Sequence, residues 1–298
     1  VGFVPTSVFQ RGTTVSRSKL IPFLLILPTV VYLGILMGYP LVENVRLAFS
    51  NPAGALENFR SLVSTKEFWQ TLTNTLLLTV FIVPLQLILA LALALFINKK
   101  FRGYTFVLYL ITIPLALSDI TASLMSYSIF APSGYFNKIL INLGILERPM
   151  YFFGYFFKER AFWIVVLTEV WRATPLVFVI LLAGLQSINK EYLEAADVFG
   201  FSKWKKFTKI TLPLLKPTIM SALLIRTIFA FQIFGVVWLL AGRDITVLAG
   251  ETYYWYVFMN NPNMASAYAL IIALVTFAFN AIYIFALRSK HLEEGVET

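Results

Sequence analysis

Cysteine is absent from this chain, and its one histidine, His291, stands near the C-terminal end. Disulfides, thiol nucleophiles and histidine-based metal sites within the apolar segments are thereby excluded. Charge is scarce as well: 13% of the 298 residues are Asp, Glu, Lys or Arg, against 59% hydrophobic. Soluble domains run at about a quarter charged and half apolar, so neither one large soluble domain nor two fits. There is no His-Glu-x-x-His, no Gly-x-Ser-x-Gly and no Gly-x-x-x-x-Gly-Lys-Ser/Thr. Zinc-dependent hydrolysis, acyl transfer and ATP binding by a phosphate loop therefore have no residues to rest on. No low-complexity tract, soluble insertion or persuasive internal repeat is present, and the missing repeat counts against a complete secondary transporter, since those often carry one.

What the chain does have is oil. Mean hydropathy is +0.78, and six apolar segments can be marked at 20–40, 74–97, 105–130, 161–185, 214–240 and 264–287. Each is long enough to cross a hydrocarbon core of about 30 Å, which takes roughly 20 residues. In lipid only helices satisfy their own backbone at this length. The expectation is an all-α polytopic membrane protein of six transmembrane helices, with both termini on one side. Residues 1–19 show no helical period and carry Arg11, Arg17 and Lys19; no small-residue cleavage site follows, so the first run reads as a retained span.

The net charge of +9 needs no nucleic acid to explain it. With the N-terminus in the cytoplasm, the inner segments hold fourteen Lys and Arg and the outer loops eight, the bias that positive-inside topology requires. Pro28, Pro84, Pro114 and Pro175 fall within spans, where each removes a backbone donor and crowds the preceding turn. Kinks lining a cavity and the general enrichment of proline in membrane helices both account for them. Met150–Phe157 and Tyr253–Tyr256 read as aromatic belts at headgroup level.

Four ionisable residues lie inside spans: Asp119, Glu169, Arg172 and Arg226. Such groups are costly in lipid, so they should face protein or water. Glu169 and Arg172 are three apart and can pair on one helix face. Arg226 has no partner on its own helix; its face continues through Phe229, Ala230 and Ile233, a set that suits a hydroxyl-rich ligand. Gln232 points elsewhere, toward a neighbouring helix. Thr276, Asn280 and Tyr283 form a polar stripe of the kind that joins helices. Asp119, five residues after Pro114, reads as a proton site, a partner for a cation or a cavity-lining group.

Between the fourth and fifth segments lies a charged island. Glu191–Phe199 has a helical pattern with Glu191, Glu194 and Asp197, acidic where a helix N-terminus favours it. Gly200 can take the positive φ that ends a helix. A second pattern begins at Ser202 as a cap and carries Lys203, Lys205, Lys206 and Lys209, closed by Leu212-Pro213 and Pro217 before the fifth span. A basic loop accounts for the lysines but not for the order of the other residues.

That order resembles the EAA loop of permease subunits of bacterial and archaeal ABC importers: Glu-Ala-Ala, three residues, Gly, nine residues, Ile, one residue, Leu-Pro. Glu194, Ala195, Ala196, Gly200, Ile210, Leu212 and Pro213 occupy every position. Asn74-Thr75, Ile113-Pro114, Gly134 to Asn137, and Trp171 with Pro175 extend the likeness over residues 20–290, toward the MalF-type carbohydrate permeases. The resemblance implies a type I importer permease (MetI-like) fold at 20–290, between a cytoplasmic segment 1–19 and a cytoplasmic tail 291–298. It implies a sugar-importing, non-catalytic half pore in the prokaryotic cell membrane, and no metal site. The loop 190–213, with Phe207, would dock ATPase subunits. Implied partners are a second permease, giving a hetero-dimer, two ATPase subunits that hold ATP and Mg, and an extracytoplasmic solute-binding protein. The substrate path would run past Arg172, Leu176, Arg226, Phe229, Ala230 and Ile233, with Glu169 and Asp119 close by. Where such permeases show Phe-Asp and then Thr-x-Gly-Gly-Pro, this chain has Phe234-Gly235 and Ala241-Gly242-Arg243-Asp244, a departure in the turn that faces the binding protein. A stand-alone proton-coupled carrier using Asp119 or Glu169 is the alternative, and a membrane-embedded enzyme a distant third.

Overall fold

Long apolar runs without internal punctuation should form long helices, and they do. The structure, a computed structural model, describes residues 15 to 287; the residues before Val15 and from Arg288 on, with His291 and the expected tail, lie outside it. Among the described residues every regular element is helical. Helix α1 (Val15–Leu33) passes through a π turn, Gly34–Gly38, into α2 (Tyr39–Ala48), and α3 (Glu57–Ser64) leads to α4 (Lys66–Ile97). Then come α5 (Tyr104–Thr112), a 3-10 turn (Ile113–Ala116), α6 (Asp119–Phe130) and α7 (Tyr135–Asn142). A second 3-10 turn (Tyr155–Phe157) opens α8 (Lys158–Ser187), followed by α9 (Lys190–Val198) and α10 (Lys203–Lys206). A second π turn (Phe207–Thr211) joins α10 to α11 (Leu212–Phe231), and α12 (Gly235–Ala241), α13 (Leu248–Val257) and α14 (Pro262–Leu287) complete the chain.

Five stretches are continuous and apolar enough to cross a membrane: Pro22–Ala48, Lys66–Ile97, Tyr155–Ser187, Lys203–Phe231 and Pro262–Ala286. The third expected span is not one helix. Tyr104–Ala116 and Asp119–Asn142 meet at a bend of 102°. Pro114 tightens the end of the first half into a 3-10 turn, Leu117 and Ser118 are extended, and the Ser118 hydroxyl caps the second half by accepting from the Thr121 N–H. The fifth span is also corrected: it starts at Lys203, stops at Phe231, and leaves 235–241 as a separate helix. Helix α1 begins at Val15, inside the segment 1–19 whose sequence shows no helical period.

Both π turns precede a proline. Tyr39 N–H bonds back to Gly34 O before Pro40, and Leu212 N–H to Phe207 O before Pro213. The wider turn forgoes the bond that proline cannot make and eases its ring past the preceding carbonyl, so the helix continues. Leu212-Pro213 therefore does not separate the island from the fifth span, contrary to the sequence reading.

Helices α4 and α8 form the central pair. Ala90 and Ala94 are fully buried on α4 and let it approach Val177, Phe178 and Leu181 of α8, the small-residue packing that membrane helices favour. Toward the other end, Leu78 and Ile82 meet Val165, Val166 and, from α12, Val236 and Val237. A third cluster gathers Phe231, Leu248, Tyr268 and Ile272 beside α2. Gly184 of α8 faces Thr218 of α11 so closely that an added Cβ would lie 2.5–2.8 Å from its side chain.

The aromatic segment 150–157 is only partly a belt. Phe152 and Phe153 pack on the bundle, Phe153 stacked on Tyr127 at 5.3 Å, while Tyr155 and Phe156 stay exposed. Asn137 holds this segment through Met150, accepting from its N–H at 2.8 Å and donating to its carbonyl at 2.9 Å. Tyr253 belongs instead to a ring cluster with Phe234, Trp238 and Phe258. The hydroxyl of Thr276 and the amide oxygen of Asn280 are buried without hydrogen-bond partners among the described residues of this chain.

Candidate functional site

Two breaks meet beside α8. The bend before α6 and the gap between α11 and α12 lie against each other, with Gly235 so near Asp119 that an added Cβ would sit 2.9 Å from Asp119 Cβ. A cavity of about 370 Å³ opens there, a size typical of small-molecule sites. Its walls include Asp119 at the start of α6, Glu169, Arg172 and Leu176 on α8, and Arg226 and Phe229 on α11. Gln232 and Ile233 from the gap, with Leu115 and Ala173, complete them.

The four ionisable residues form one network. Arg172 holds Glu169 with two parallel bonds, Nε to Oε2 at 3.1 Å and Nη2 to Oε1 at 2.9 Å, and turns Nη1 to Asp119 Oδ1 at 3.0 Å. Arg226 donates from Nη2 to Glu169 Oε1 at 2.6 Å and from Nε to Gln86 Oε1 on α4. Gln86 in turn donates to the Glu169 backbone carbonyl at 2.8 Å. The Glu169 and Arg226 side chains are 2% and 3% exposed, while Arg172 rises to 20% and Asp119 to 44% at the cavity wall. Bidentate pairing and side-chain amides satisfy charges that would otherwise be prohibitive at this depth.

The expected Glu169–Arg172 pair is thus present, and Asp119 is the partner of a cation. Other expectations are corrected. Arg226 is not a free donor: its partners come from α4 and α8, which its own helix could not reveal. Gln232 lines the cavity because the helix ends at Phe231, turning it off the expected face. That ending also removes Ile233 from the Arg226 stripe, although it still reaches the wall. Ala230 is 1% exposed and packed away from the cavity. Gln86 was missed, although an amide inside an apolar run needs a partner and is a readable signal.

A second feature lies at the other end of α8. Asn189 caps α9 by accepting from the Glu191 N–H at 3.1 Å. Gly200 takes φ +68°, with its N–H bonded to Asp197 O and that of Phe201 to Ala196 O, a complete Schellman ending. Ser202 then caps α10, accepting from Lys205 N–H at 3.3 Å, and Lys206 bridges back to Asp197. Ala196 is buried, Glu194 and Ala195 are exposed, and Phe207, Ile210 and Leu212 are half-buried while Pro213 is exposed. Val198 and Phe199, 87% and 79% exposed, stand outside the bundle with Tyr192 and Trp204.

The turn where the sequence departs from its resemblance is well anchored. Arg243 makes three bonds to Glu251 and lies 3.6 Å over the Tyr254 ring. Burial raises the Glu251 carboxyl above the usual range, against the pull of Arg243. Asn74 and Thr75 hold the following strand of chain, through Thr246 O at 3.0 Å and the Leu248 N–H at 3.0 Å.

Residues 15–288 match the binding-protein-dependent transport system inner membrane component family. The chain belongs to that family. Its relatives include the trehalose/maltose transport system permease protein MalF of Thermococcus litoralis, 29% identical with 90% of this chain and 94% of that one covered. The sulfoquinovosyl glycerol transport system permease protein SmoG of Agrobacterium fabrum is 32% identical over 91% and 92%. A bacterial ABC transporter involved in the import of the acidic polysaccharide alginate shares the fold at TM-score 0.79, 24% identity and coverage of 91% and 96%. This family member is an all-helical, multi-pass ABC importer permease, and the stand-alone carrier is set aside.

Proposed function

We propose that this chain is one half of the translocation pathway of an ATP-driven importer of sugars. The observation that carries the reading is the island: a capped helix, a left-handed glycine and a second helix continuous with a membrane span, with Tyr192, Val198, Phe199 and Trp204 left bare. A lever rigidly joined to a span is what a coupling element requires. ATP and Mg would be held by two ATPase subunits docked on Glu194–Pro213, and this chain would contribute no catalytic group. A second, non-identical permease would close the pathway, and an extracytoplasmic binding protein would deliver cargo, as the family's description implies. The fourteen-to-eight bias of Lys and Arg supports a cytoplasmic island, cytoplasmic termini and residence in the prokaryotic cell membrane, with the permease domain at 20–290. Sugar cargo is supported by the relatives' names and by a cavity that sets an aromatic face, Phe229, beside carboxylate and amide groups. ATP binding would shift the pathway between inward- and outward-open states only as far as it favours one over the other.

Replacing Gly200 by Val tests the lever. A β-branched residue at φ +68° is strained by about 1–2 kcal/mol and would reorient α9 without touching the cavity. Insertion and pairing with the second permease should persist, while stimulation of ATP hydrolysis by the loaded binding protein is lost; full stimulation would sink the reading.

A further inference from the structure

The charges around the cavity cancel. Two guanidiniums face two carboxylates, and among the described residues no Lys and no other Arg lines the wall. The cations are also largely unavailable: all three Arg172 nitrogens point at carboxylate oxygens, and Arg226 has Nε and Nη2 engaged by Gln86 and Glu169, while its Nη1 belongs to a side chain only 3% exposed. Recognition of an acidic sugar requires an unspent cation, best a guanidinium fork. What remains open to the cavity is different in kind. Asp119 shows a half-exposed carboxylate, Gln232 an exposed amide, and Phe229 an exposed ring. Carboxylate and amide accept and donate to hydroxyls, and the ring offers a face to the C–H side of a pyranose.

Trehalose and maltose name the cargo of one relative, and a neighbour of the same fold is named for an acidic polysaccharide, so the fold by itself does not set the charge of the cargo. We infer that this chain selects uncharged sugars, with Asp119 the specificity-determining residue that keeps Arg172 neutralised and excludes anionic cargo. The inference rests on the sugar-importer reading and refines its cargo. Glu169, Arg226 and Gln86 act as positioning residues: buried behind Arg172, they fix the fork so that its remaining nitrogen meets Asp119. Removing the Asp119 charge would leave Arg172 Nη1 free and the cavity net positive.

Saturation-transfer NMR on the assembled permease pair and ATPases in nanodiscs, without binding protein, reads this directly. Trehalose and maltose are the neutral probes and digalacturonate the acidic one. The wild type should favour the neutral probes by about tenfold, the size of one unscreened like-charge contact at the wall. Asp119→Asn should bring that ratio near one, and Asp119→Glu, which keeps the charge, should preserve it and show that the change is not misfolding. Equal wild-type saturation transfer to both kinds of probe, or a ratio unmoved by Asp119→Asn, would overturn the inference and leave sugar import standing. If none of the probes contacts the wild type, the sugar reading falls with it.

Discussion

Glu169 is the side chain on which the others depend. One carboxylate oxygen receives both guanidiniums, at 2.9 Å from Arg172 and 2.6 Å from Arg226, and its own carbonyl anchors Gln86. Truncating one member of a buried ionic set leaves an uncompensated charge, at a cost of about 3–5 kcal/mol, whereas replacing a set by apolar groups of similar volume is often close to neutral. Glu169→Ala should therefore lower the denaturation midpoint of the purified complex steeply, and Glu169→Met combined with Arg226→Met should recover much of the loss. An equal loss in the single and double variants would show that packing, not charge, decides stability here. Asn137 illustrates the same economy with neutral groups, tying the aromatic segment to α7 through both bonds to Met150.

The elements matter through their interruptions. Proline continues a helix where a π turn precedes it, at Pro40 and Pro213, and helps to break one where a 3-10 turn and extended residues follow, at Pro114. The result is an uninterrupted rod from Lys203 to Phe231 and a broken span at Asp119, so the lever and the cavity share a rigid helix. Helix α8 is the other member of that linkage, and Gly184 sets its distance from α11. Gly184→Ala should destabilise the complex by about 1–3 kcal/mol through overpacking against Thr218. Adding Thr218→Ala, which removes two of the three close atoms, should restore part of the loss in a thermal-shift measurement. No rescue would place the strain elsewhere.

At the scale of the whole molecule, the odd feature is the first span. From residue 22 to 37 every described residue is exposed, and the main contact of this span with the bundle runs from α2 to α14. Topology follows from the order of the spans, and the absence of cysteine makes it simple to check. In whole cells Ala55→Cys, between the first two spans, should react with an impermeant maleimide, while Lys99→Cys, after α4, should react only once the membrane is opened. Both positions are exposed in the structure. The reverse pattern would invert the assignment and remove the island from the cytoplasm.

Much of the fold is legible in the sequence. Span number follows from apolar run length, since a lipid-facing backbone has few solutions, and the island's glycine and serine cap act within their own turns. Capping and helix endings are local physics, so Gly200 and Ser202 take the geometry their neighbours demand. The breaks were less legible, because a proline permits several outcomes and the surrounding helices select among them. The cavity was least so. Arg226 reads as unpartnered on its own helix, and its partners lie 57 residues away in Glu169 and 140 in Gln86. Residue types and local turns were determined by the sequence alone; which charges cancel, and so what the cavity can hold, was decided only when three helices met.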